Sequence, residues 1–171
     1  MALAVLSVLL SQTQLLHSSV EIGSISEVRG NAQVLRDKAY GAELKFNIQQ
    51  MDDVRTETGR VAITFEDDST VKLTEHSKLV IDEYIYDPDP SKSKMALKFA
   101  SGTARFITGK FNNKSNISIK TPTADIAIRG TDFTCTVDEL GRSLVILLPD
   151  ENGISSGEIL VSTAMGSVTL N

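Results

Sequence analysis

The side chains able to do chemistry in this sequence are few and scattered. His76 is the only histidine after residues 1–19, and Cys135 is the only cysteine. A serine-type nucleophilic site needs a histidine beside a serine and an orienting carboxylate, so it would have to use His76. No strained Gly-x-Ser-x-Gly elbow accompanies that histidine. One histidine and one cysteine far apart in sequence make a poor zinc set. His76 therefore reads as a surface turn residue before Ser77. The carboxylates fall into groups: Asp52 with Asp53, Glu66 with Asp67 and Asp68, Asp82 with Glu83, and Asp87 with Asp89. Several carboxylate oxygens together suit calcium, yet none of these groups has the spacing of an EF-hand loop. They read as solvated turns and charged protection of sheet edges. The expectation is a protein with no catalytic residue, no metal and no cofactor.

The most distinctive polar constellation is a corner formed by Arg129, Gly130, Thr131 and Asp132. Two alternating patterns meet there. Ile126 and Ile128 share one face of the incoming segment, and Phe133 and Cys135 share one face of the outgoing one. Gly130 is the natural pivot, because glycine reaches backbone angles closed to other residues. Arginine, threonine and aspartate are what a turn needs to satisfy its own backbone and one carboxylate. The corner is therefore read first as structural and second as a partner-binding loop. Tyr84 and Tyr86, two residues apart, form a second candidate surface. They are either an exposed aromatic strip for a protein or glycan partner or a cover over the edge of the core.

The elements that must position these residues are strands. From Val20 onward the pattern has period two: Val61, Ile63 and Phe65; Val71 and Leu73; Leu79 and Ile81; Ile117 and Ile119; Leu144, Ile146 and Leu148; Ile159 and Val161. Gly- and Asp-rich turns recur at short intervals. No helix is expected inside the domain, and residues 39–48 read as either a strand or one helical turn. The expected fold is all-β, an antiparallel β-sandwich of jelly-roll type, with a β-solenoid-like stack of short strands as the alternative. Residues 87–94 carry Pro88 and Pro90 and mark an exposed loop. One domain over residues 20–171 is expected, since each half alone would bury a thin core. Cys135, set among alternating threonines, is expected to be a small buried core residue.

Composition limits the partners. The chain has 171 residues and a formal net charge of −5. That balance lacks the basic footprint that nucleic acid requires. Residues 2–10 are a continuous apolar run followed by polar residues. Nine residues are too few for a stable transmembrane segment but suit the hydrophobic region of a secretory signal peptide. Residues 1–19 are accordingly expected to be a signal peptide or hydrophobic leader, the other reading being a short amphipathic helix packed on the domain.

Four stretches carry a resemblance to a known family: EIGSISEVRGNAQVLR, MDDVRTETGRVAITFEDDSTVKLTEHSKLVI, ALKFASGTARFITG and TPTADIAIRGTDFTCTV. In this order they resemble the FecR domain family. The matching residues in the second stretch are Asp52 or Asp53, Thr56, Arg60, Phe65, Asp67, Ser69, Leu73, Ser77 and Leu79. The family's hairpin carries Asp-Gly before the serine, and here the turn reads Glu66, Asp67, Asp68, Ser69. Aspartate tolerates left-handed angles better than most residues, so this turn is expected to survive. Longer proteins of this family resemble transmembrane signal transducers that bind a sigma factor on one side of the membrane and a receptor on the other. This chain has no room for those flanking parts, so the expectation is a stand-alone FecR-type domain. The resemblance implies a non-catalytic, exported module, periplasmic or on the cell surface, whose partner is another protein of the envelope. The alternatives are a structural subunit of a surface or virion assembly, self-associating through edge strands, and an envelope glycan-binding module.

Overall fold

Period-two alternation sets the local structure. The computed structural model describes residues 20–110, 116–149, 153–154 and 157–171, and every regular element among them is a strand. The expected leader, residues 1–19, lies outside the described residues. In chain order the strands are β1 (Glu21–Arg29), β2 (Ala32–Leu35), β3 (Ala39–Gly41), β4 (Asn47–Gln49), β5 (Asp53–Thr56), β6 (Arg60–Phe65), β7 (Thr70–Leu73) and β8 (Lys78–Ile85). They continue as β9 (Lys94–Ile107), β10 (Asn116–Lys120), β11 (Asp125–Arg129), β12 (Asp132–Val137), β13 (Ser143–Leu147), β14 (Glu158–Thr163) and β15 (Gly166–Leu170). The ambiguous segment 39–48 resolves into β3, a turn and the start of β4.

Hydrogen bonds join the strands into one mixed sheet folded into an open, sandwich-like pair of leaves. The first leaf runs β4-β1-β6-β7-β9-β12-β13. The second runs β3-β2-β5-β8-β9-β10-β11-β14-β15. β9 belongs to both, because its 14 residues bend from one leaf into the other at Gly102. The alternation in β9 changes phase there: Met95, Leu97 and Phe99 point inward before the bend, Ala104 and Phe106 after it. The connections β1 to β2, β5 to β6 and β7 to β8 turn the same corner beside it, tied by Glu57 N–H to Asn31 O and Thr56 N–H to Ser77 O.

Among the described residues every ladder is antiparallel except β9 with β10, which is parallel and departs from the all-antiparallel expectation. The bend in β9 explains it. Tyr84, opposite Met95 near the start of β9, donates its hydroxyl to Asp67, beside the strand that pairs with the end of β9. The two ends of β9 therefore lie across the sandwich from each other, a gap of about 10 Å for packed leaves. A short connection suffices where a straight parallel pair would need a long crossover.

The core lies between the leaves. Phe65, Phe106 and Phe133 come from β6, the end of β9 and β12 in the first leaf, and Leu79, Ile81, Phe99, Ile119, Ile126 and Ile159 face them from the second leaf. Phe106 stacks on Phe133 and meets Phe99 edge-on, with ring centroids 5.1 and 6.0 Å apart. The proline segment 87–94 joins β8 and β9, neighbours in the second leaf, and Ser93 Oγ closes it by accepting the Asp87 N–H at 3.0 Å.

Cys135 is fully buried on β12, between Ala104 and Val145 on the flanking strands. Burial pushes its thiol up to about 11. The thiolate is the reactive species, so the folded protein at pH 8 is expected to resist thiol reagents. Labelling with a disulfide reagent should proceed only after denaturant is added. Rapid labelling of the native chain would show that β13 detaches readily.

Candidate functional site

The corner at Arg129 to Asp132 carries the chain from β11 in the second leaf to β12 in the first. Gly130 has φ +57°, the left-handed region, and a β-carbon added there would meet no atom within 4 Å. Thr131 is buried. Its N–H donates to Thr108 Oγ1 at 2.7 Å, and its carbonyl accepts from Thr108 N–H at 3.1 Å. Asp132 receives a bidentate pair of bonds from Arg105 of β9. Arg129 pairs with Glu158 of β14 at 3.1 Å on the exposed surface. The four residues therefore serve three separate contacts rather than one site. Arg129→Ala is expected to change stability by less than about 0.5 kcal/mol, as exposed pairs do. Gly130→Val is expected to cost about 1–3 kcal/mol through backbone strain. Thermal melts of both variants check this; unchanged melting with lost partner binding in Arg129→Ala would make the corner a recognition loop.

The two tyrosines do not share an exposed strip. Tyr84 is 6% exposed, stacked on Phe65 with centroids 5.3 Å apart, while Tyr86 is 43% exposed. A bulge between Ile81 and Glu83 shifts the phase of β8, so that Leu79, Ile81 and Tyr84 all face inward. Burial, with the Asp67 carboxylate beside it, raises the Tyr84 hydroxyl well above the ordinary phenol range, so it stays a donor. It donates to Asp67 Oδ1 at 3.0 Å, and the Asp67 N–H donates back to its oxygen at 3.1 Å. Ser69 Oγ bonds the other carboxylate oxygen and accepts the Gly109 N–H at 2.9 Å.

Two of the acidic residues are not solvated turn residues, contrary to the sequence expectation. Asp52 and Asp67 are both completely buried. Asp52 accepts two bonds from Arg36, each 2.7 Å, and one from the Gln49 N–H at 2.9 Å. A tight turn with Met51 at φ +70° folds the carboxylate back over its own backbone. Asp68 does occupy the left-handed region, at φ +66°, in the hairpin that lacks glycine. His76, also left-handed at φ +56°, is an exposed corner residue. Among the described residues no group of three or more His, Cys, Asp or Glu is placed to hold a metal.

Among the described residues the buried polar ones are Asp52, Thr56, Asp67, Ser69, Ser77, Ser93, Thr121 and Thr131. All but Ser93 lie in the stretches that carry the family resemblance. Each closes a corner or turn. Ser77 N–H donates to Thr56 Oγ1 at 2.8 Å, and Ser77 Oγ accepts the Thr103 N–H at 3.2 Å beside the bend of β9. Thr121 bonds Ala124 in its own turn and reaches Ser143 Oγ of the opposite leaf at 2.7 Å. Buried polar groups must be paired, and among the described residues no buried side-chain nitrogen or oxygen is without a partner. These signature residues build the fold.

The surfaces left for recognition lie on the other side of the strands, and sequence reasoning missed them. Among the described strands β13 pairs with β12 alone and ends the first leaf. Its Leu144 and Ile146, read from the sequence as alternating residues of a strand, are 59% and 48% exposed. Val145 and Leu147 take the inward positions instead, at the open mouth between β13 and the end of β15. That mouth holds a groove of about 530 Å³. A second concavity, about 300 Å³, lies on the outer face of the first leaf and includes Arg60, Lys72 and Arg105. Charges flanked by apolar residues were visible in the sequence, but only strand register shows which of them adjoin.

An open β-sandwich with closed polar corners and exposed sheet edges is the class of protein described by these features. Its family follows from comparison. The family described as FecR protein matches residues 52–168, well over half the chain, so the protein belongs to the FecR family. No curated protein matches the sequence. Among solved structures, a crystal structure of a candidate anti-sigma factor from Parabacteroides distasonis shares the fold, with a TM-score of 0.53 at 14% identity. The match covers 69% of this chain and 50% of that one, so this chain spans about half the length of that relative.

Proposed function

We propose that this chain is a non-catalytic β module, exported to the envelope, that acts in signalling by binding another protein. Family membership and the anti-sigma assignment of the solved relative support a regulatory role built on protein contact. The observation that carries the reading is the β13 edge. A strand that ends its leaf, with outward Leu144 and Ile146, offers backbone pairing together with apolar anchors. Partners that add a strand to such an edge gain affinity from the main chain and specificity from alternate side chains. The apolar run at residues 2–10 supports export, and no described helix is long and apolar enough to cross a membrane.

The test is the double variant Leu144→Asp/Ile146→Asp, compared with the parent chain by in-cell crosslinking and mass spectrometry. The expected result is an unchanged melting temperature and loss of one crosslinked envelope protein. Retention of every crosslink would remove β13 from the interface. A stable homo-oligomer on size exclusion that the same variant dissociates would favour the assembly reading instead.

A further inference from the structure

We propose that the outer face of the first leaf carries a docking groove for an acidic peptide segment of a partner protein, with Arg60, Lys72 and Arg105 as its cationic floor. Strand register assembles it. Ala62 of β6 stands opposite Lys72 of β7, and Lys72 stands opposite Arg105 of β9. Residues directly opposite on one face have their β-carbons about 5 Å apart. Arg60 lies one pleat along from Ala62, diagonal to Lys72. Three cations from three adjacent strands thus border a concavity of about 300 Å³.

Charge balance points to an anionic occupant. Most of the molecule's described cations are ion-paired. Arg60 and Lys72 have no ion pair among the described residues. Lys72 and Arg105 stand directly opposite each other, and the Asp132 carboxylate on Arg105 offsets their like charge. Arg105 is engaged by Asp132, and the one carboxylate in the lining, Glu27, pairs with Arg29. Ala62 at the base is buried, so the cations flank a small apolar patch rather than a polar one. Thr134 lines the same concavity and its hydroxyl can donate to a carboxylate oxygen, whereas Thr74 Oγ1 already donates to the Thr103 carbonyl and Thr103 Oγ1 pairs with Thr136 Oγ1.

The occupant is a peptide rather than a small ion because of scale. Adjacent strands are about 4.8 Å apart, so the cations spread over roughly 10 Å. Two acidic side chains on alternate residues of an extended segment stand about 7 Å apart, close enough for their carboxylates to reach two of these cations. A single small anion would meet only one or two of the cations. This groove and the β13 edge are tested by different variants, so failure of one leaves the other standing.

The test uses the full chain and a synthetic octaglutamate peptide, followed by amide chemical shifts at low ionic strength. The expected perturbations are confined to β6, β7, β9 and β12. Arg60→Gln/Lys72→Gln should weaken binding by about tenfold, the loss of two partly screened charge contacts. Both side chains are exposed, so melting should be unchanged. Lys38→Gln/Lys45→Gln, at the opposite edge, should leave affinity as it was. Equal weakening by both double variants would reduce the effect to general electrostatics and overturn the site. So would perturbations outside these strands, no perturbation at millimolar peptide, or equally tight binding of inorganic sulfate, which would mark an anion site only.

Discussion

Gly102→Ala is expected to destabilise the protein by about 2–5 kcal/mol. Gly102 has φ +94° at the point where β9 bends from one leaf to the other. A β-carbon there would stand 2.3 Å from Ser77 Oγ and 2.5 Å from Ser77 Cα. The second of these atoms is backbone and cannot rotate away. Left-handed angles alone cost an L-residue about 1–2 kcal/mol, and forcing a group into a filled space adds about 1–3 kcal/mol. Ser77 cannot retreat without losing its bonds to Thr103 and Thr56. Urea unfolding should show a lower midpoint with an unchanged slope. Gly41→Ala is the control. Gly41 has no neighbour within 4 Å of the added carbon, and a change within about 0.5 kcal/mol is expected. Equal midpoints for the two variants would mean that the bend of β9 relaxes without cost.

Arg36→Met carries the second large effect, a loss of about 2–4 kcal/mol. Arg36 follows β2 in the second leaf and reaches Asp52 and the Asn47 carbonyl, the latter on β4 of the first leaf. Its guanidinium lies 5.9 Å from the Tyr40 ring centroid and 5.6 Å from that of Phe46. The hydrogen bonds to Asp52 hold its proton more tightly than usual. Methionine keeps much of the volume but leaves a fully buried carboxylate with only the Gln49 N–H. Removing one partner of a buried pair costs about 3–5 kcal/mol; Arg36 is partly exposed, which lowers the figure. In Arg36→Met/Asp52→Leu the stranded charge is gone, so the double variant should lose less than the sum of the singles. Additive losses would show that the pair is not coupled.

The buried polar residues of the family signature and the proposed recognition surfaces occupy opposite sides of the same strands. Thr56, Asp67, Ser69, Ser77 and Thr131 point into corners and hydrogen-bond there. Leu144, Ile146, Arg60 and Lys72 point outward. A resemblance carried by the first set therefore reports how the chain folds, and the proposed contacts rest on the second set.

Alternation of apolar residues was enough to establish an all-β chain, most strand positions and the burial of Cys135. The reason is local: in a strand, neighbouring side chains point to opposite faces, so one-sided burial writes itself into the sequence at period two. The turn at Asp68 and the pivot at Gly130 were legible for the same reason, since backbone angles are a property of one residue and its neighbours. Tertiary structure alone decided the rest. The bulge after Ile81 turned Tyr84 inward, and nothing in the run from Leu79 to Tyr86 marks that extra residue. Asp52 and Asp67 are buried because Arg36 and Tyr84, 16 and 17 residues away, come to meet them. β10 pairs in parallel because β9 bends, and Leu144 faces out because β13 ends its leaf with Val145 and Leu147 toward the core. The cationic groove exists only through the register of β6, β7 and β9. Register and bulges are set by long-range hydrogen bonds between segments, and a one-residue shift in either moves every side chain to the other face.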